Sequence, residues 1–71
     1  MYHATMHPSH ERVLRYFAYS HLPPHLQNIS RPFHDLAHSV AGMEHKDGAE
    51  LTVALRKLLE AKDAAVRSTI E

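Results

Sequence analysis

The chain has no cysteine, no tryptophan and only two glycines in 71 residues, and its formal net charge is zero with neutral histidine. Without cysteine no disulfide can hold the fold, and the chain is compatible with a reducing, cytoplasmic setting. With glycine so sparse there is no Gly-rich loop to cradle a phosphate. Eight basic residues balance eight acidic ones, so the basic surplus of a DNA- or RNA-polymer binder is missing. No apolar run reaches the length that crosses a bilayer. The N-terminus is polar and His-rich, so neither a signal peptide nor a membrane anchor is expected. Ser9, Ser20, Ser30, Ser39 and Ser68 stand in no elbow turn and beside no paired acid. No enzyme activity and no cofactor are therefore expected.

One domain is the most that 71 residues allow. Below roughly 70–80 residues a single core rarely supplies more than about 3–5 kcal/mol. With disulfides excluded, self-association or a metal held by histidine remains as the remedy. Histidine is abundant, with eight residues at 3, 7, 10, 21, 25, 34, 38 and 45.

The stretch Leu26 to Met43 organises the rest. Leu26, Ile29, Phe33, Leu36, Val40 and Met43 recur at alternating spacings of three and four, which predicts an apolar helical seam. Leu51 to Ile70 forms a second helical pattern after the short polar connection Glu44-His45-Lys46-Asp47-Gly48. The two are expected to pair as an antiparallel hairpin. Pro24 is placed to open the first of these helices. Pro32 removes the donor that would bond Asn28, so a kink or break is expected near 28–31, where Asn28 or Ser30 can cap a restart. Because the seam continues across it, the two pieces are expected to form one kinked rather than terminated helix. Gly42 is placed to end it, and Asp47 to cap the next. Ahead of the hairpin, Ser9 is a plausible cap for a short helix over His10 to Tyr19, with Val13, Leu14, Phe17 and Ala18 on one face. Residues 1–8 show no period and are expected to be mobile, which leaves 9–71 as the domain. In the last helix a surplus stripe, Leu55, Leu59, Val66 and Ile70, needs either the N-terminal helix or a second copy as cover. A second copy is expected over at least part of it, because the short helix cannot cover four turns. The fold class is thus all-α: a short N-terminal helix before an antiparallel helical hairpin, assembled as a homo-oligomer.

Three constellations carry chemistry. His34 and His38 stand at i and i+4 on one helix face, which resembles half of a His-Glu-x-x-His zinc helix. The alternative is a pair of solvent-facing histidines. Arg12, Arg15, Tyr16, Tyr19 and His21 mix cations with aromatics, a combination suited to stacking a base and holding a phosphate. The alternative is an amphipathic helix whose tyrosines cover the hairpin end. Lys57, Lys62 and Arg67 alternate with Glu60 and Asp63, which reads as a solvated, charge-balanced face.

The run from Tyr19 through Leu22, Pro24, Arg31 and Pro32 to His34, together with Ala64-Ala65-Val66-Arg67 near the chain end, resembles the helical-hairpin sponge proteins of phages. These are small anti-CBASS and anti-Thoeris proteins that sequester cyclic-nucleotide immune signals. The resemblance spans residues 19 to 68. It implies an oligomer of hairpins, a hexamer in the anti-CBASS members, binding cyclic di- or trinucleotides between subunits without cleaving them. It also implies action in the bacterial host cytoplasm during infection. The stacking tyrosine of the family falls on Tyr19. Its ligand-contacting lysine falls on His34, a departure, since a neutral-pH imidazole carries only part of a positive charge. Arg31, one turn earlier, is placed to add charge, and Arg67 matches by its position near the end. Tyr16 and Arg15 complete the expected ligand set. The other readings are a helical protein-interaction module and a metal-binding bundle using His34 and His38.

Overall fold

The computed structural model describes residues 8–70 of the chain. Three helices occur in order: α1 (Pro8–Arg15), α2 (Pro24–Ala41) and α3 (Gly48–Ser68). There is no strand among the described residues, and none of their helices is long and apolar enough to cross a membrane. Helices α2 and α3 share the widest contact, and α1 rests on both.

Local chemistry sets most boundaries. Pro24 is the first residue of α2, where its missing N–H has no helical partner to lose. Gly42 ends that helix, its N–H reaching back to the carbonyls of His38 and Ser39. The Asp47 carboxylate accepts from the N–H groups of Ala49 at 3.0 Å and Glu50 at 3.1 Å, a cap worth about 1 kcal/mol. Helix α1 departs from the expected span. It begins at Pro8, inside the stretch expected to be mobile, and ends at Arg15 rather than Tyr19. Residues 1–7 of that stretch lie outside the described residues. Beyond Arg15 the chain tightens into three-residue turns, Tyr16 to Val13, Phe17 to Leu14 and Ala18 to Arg15. A further turn joins Leu22 to Tyr19. The Gln27 side chain reaches back from α2 and donates to the Leu22 carbonyl at 2.7 Å, holding this connection against the helix start.

Pro32 does not break α2, which runs unbroken from Pro24 to Ala41 with no restart at Asn28 or Ser30. Asn28 and Pro32 are both exposed. They stand one turn apart on one face, so the carbonyl that loses its partner lies on the solvent side, where water can satisfy it.

Val13, Leu14 and Phe17 from the α1 region, Ala37 from α2, and Leu51 and Leu55 from α3 form the core. Phe33, Val40, Ala41, Leu58 and Leu59 pack against it. The buried face of α2 is rotated from the expected seam. Ser30 and Ala37 are buried at 1% and 0% exposure, whereas Leu36 and Met43 stand 49% and 57% exposed. A straight helix drifts about 20° per heptad from a strict seven-residue repeat. Leu36 therefore slides off the core, and Met43 lies beyond the end of α2 at Ala41. The surplus stripe on α3 is also divided. Leu55 belongs to the core and Leu59 packs against it, Val66 is half-buried and Ile70 is exposed.

His10 fastens α1 to α3. It is buried, and its Nε2–H donates to the Gly48 carbonyl at 2.9 Å. The Thr52 hydroxyl donates to the same carbonyl at 3.1 Å. The first turns of the two helices are thereby tied together, which fixes the direction in which α1 crosses α2.

Candidate functional site

The crossing of α1 over α2 leaves an open groove of about 420 Å³ lined by Glu11, Leu14, Arg15, Ala18, His34 and His38. The volume lies within the range of small-ligand sites. The first four residues recur at spacings of three, one and three, which places them on one side of α1 and its C-terminal turn. His34 and His38 are one turn apart on α2. Leu14 provides an apolar surface, while Arg15 and the two imidazoles provide polar groups around it.

Tyr19 joins the site through His34. Their ring centroids are 5.0 Å apart with the planes at 77°, an edge-type contact. The His34 and His38 rings are 4.3 Å apart and tilted by 42°. His34 Nδ1–H donates to the Asp35 carboxylate at 3.0 Å, and Arg31 approaches the other oxygen of that carboxylate at 3.9 Å. Arg15 stands 3.9 Å from Glu11, with both side chains largely in water. Such a pair contributes little, so the guanidinium is free to turn toward an anion in the groove.

Of the residues expected from sequence, Arg15 and His34 line the groove, and Tyr19, which does not line it, touches His34. Arg31 meets them only through Asp35. Tyr16 follows Arg15 but points into solvent, 61% exposed, and does not line the groove. Arg67 lies in the last turn of α3. It is twelve residues beyond Leu55, or about 18 Å along the axis, and it too does not line the groove. Glu11, Leu14 and Ala18 were not among the expected ligand residues. Their spacing with Arg15 was the available signal, since it marks a single helical side. Among the described residues no group of three His, Asp or Glu side chains is arranged to hold a metal ion. Comparison with protein-family models, curated proteins and solved structures gives no match, so what the groove does is argued from its geometry and from the residues that resemble the sponge proteins.

Proposed function

We propose that this protein binds a cyclic di- or trinucleotide in the α1–α2 groove and holds it without cleaving it, as an anti-defence sponge of the phage helical-hairpin type. The observation that carries this reading is the meeting of Arg15, His34 and His38 in one apolar-floored groove, with the Tyr19 ring in edge contact with His34. A base can stack on the aromatic groups while the guanidinium and imidazoles face its phosphate. The groove is open and one-sided, so it suits one nucleotide unit of a ring. The rest of the ring would be covered by a second copy, with α2 and α3 as an antiparallel hairpin in a homo-oligomer. Exposed Leu36 and Met43 support such self-association, because a chain this short gains stability by covering them.

A thermal-shift screen against cyclic di- and trinucleotides tests the reading, because a ligand bound only by the folded state raises its stability by mass action. The bound compound should be recovered intact after denaturation. Base–aromatic stacking is worth about 1–3 kcal/mol, so Tyr19→Ala should weaken binding roughly ten- to a hundredfold, and Tyr19→Phe much less. Absence of any shift, or equal binding by Tyr19→Ala, would remove the reading. The exposed Leu36 and Met43 would then favour an interaction module that docks on another protein.

A further inference from the structure

We propose that His34 and His38 form a two-nitrogen site for a divalent transition-metal ion, with Asp35 orienting the first of them. The inference is independent of the nucleotide reading. Two separate observations carry it.

The first is the spacing of the rings. Two histidines at i and i+4 present their side chains on one face, a turn apart. Here the rings already stand 4.3 Å apart, tilted rather than parallel. Side-chain rotation that brings one nitrogen of each ring to about 2.0–2.1 Å from a common ion completes the chelate.

The second is the tautomer. His34 Nδ1 lies 3.0 Å from Asp35 Oδ1. A carboxylate only accepts, so Nδ1 carries the hydrogen and the lone pair is left on Nε2. A carboxylate behind the far nitrogen is the usual support of a metal-binding imidazole, since it fixes the ring and raises its basicity. Nothing in the helix requires this contact, because Asp35 is exposed and could face water.

Both imidazoles line the groove, and His38 is exposed, so an ion has direct access. Imidazole donors suit zinc, copper and nickel rather than magnesium or calcium. Two nitrogens leave coordination positions for water or for an anionic group.

The test is titration of the full chain with Zn²⁺ alone, no nucleotide present, in a His3→Ala, His7→Ala background. It is followed by calorimetry and by long-range ¹H–¹⁵N spectra of the imidazoles. One ion per chain should bind, with the Nε2 signals of His34 and His38 moving together. His38→Ala should weaken binding at least tenfold. Asp35→Asn should weaken it by roughly 10–100-fold, with the helical circular-dichroism signal unchanged. Movement of only one of the two rings, equal Zn²⁺ affinity for His38→Ala and its parent, or one ion per two chains would overturn the chelate. Because the titration contains no nucleotide, its failure leaves the proposed function standing, and the reverse also holds.

Discussion

Helix α2 has two halves that look alike in sequence and behave differently in the fold. Its first residues, through Ile29, include Leu26 and Ile29 but no buried side chain, whereas Ser30 and Ala37 farther along are buried. Helix α3 is divided in the same way. Leu51 and Leu55 are buried, and nothing beyond them is. The difference is α1. Val13, Leu14 and Phe17 supply a third layer over Ala37, Leu51 and Leu55, while Leu26, Ile29, Val66 and Ile70 have no comparable cover. Apolar spacing alone therefore does not decide burial. A third element has to reach the residues.

This contrast can be broken at its strongest point first. Phe17 is fully buried and sits in the turn after α1, where it anchors that layer. Truncating a buried aromatic costs about 3–5 kcal/mol, comparable with the whole stability of a chain this size. Phe17→Ala should therefore lose cooperative unfolding in urea and most of its helical signal at 25 °C. The matched change at the open half, Ile29→Ala, removes half-exposed surface and should cost only about 1 kcal/mol. Equal losses at the two sites would mean that the open half is covered in solution.

Ser30 sharpens the boundary between the halves. Its hydroxyl is buried and has no hydrogen-bond partner among the described residues. A buried, unpaired polar atom costs about 1–3 kcal/mol. Ser30→Ala keeps the close helix approach and should raise the urea midpoint, by roughly 1 kcal/mol of stability. A loss of stability would show that the hydroxyl has a partner after all.

The smallest expected change in stability comes from the exposed apolar residues on α2 and just beyond its end. Leu36→Glu with Met43→Glu alters surface positions and should shift the stability of a single chain by no more than about 0.5 kcal/mol. Its effect belongs in assembly instead. Sedimentation at micromolar concentration should show dissociation to single chains if copies meet through this stripe. Unchanged sedimentation would place any assembly elsewhere, the open half being the next candidate.

Much of the candidate site was legible before any tertiary structure. Arg15 and Tyr19 stood out in a cluster of cations and aromatics, and His34 stood out beside His38 and through the resemblance to the sponge proteins. The turn itself made their convergence plausible, since Pro23 and Pro24 force the chain to double back. The opposite wall was harder to see. Glu11 and Ala18 carry no distinctive chemistry, and only the crossing of α1 over α2 gives them a role. Arg67 shows the converse, a suitable residue type whose place near the end of α3 keeps it out of the groove.

What the sequence determined by itself is the set of helices and most of their ends. Pro24, Gly42 and Asp47 act on neighbouring backbone groups within a turn, so their effect needs no distant partner. What only the tertiary structure decided is which side of each helix is inside. Ser30 and Ala37 on α2 are buried while Leu36 on the same helix is exposed, because the turn of the helix carries the first two, and not Leu36, toward the neighbouring helices. Pro32 is tolerated because its unpaired carbonyl lies on the solvent side. The groove exists because the hydrogen bond from His10 to the Gly48 carbonyl and the burial of Phe17 fix α1 across α2. Both contacts join residues far apart in the chain, and no local pattern of spacing encodes them.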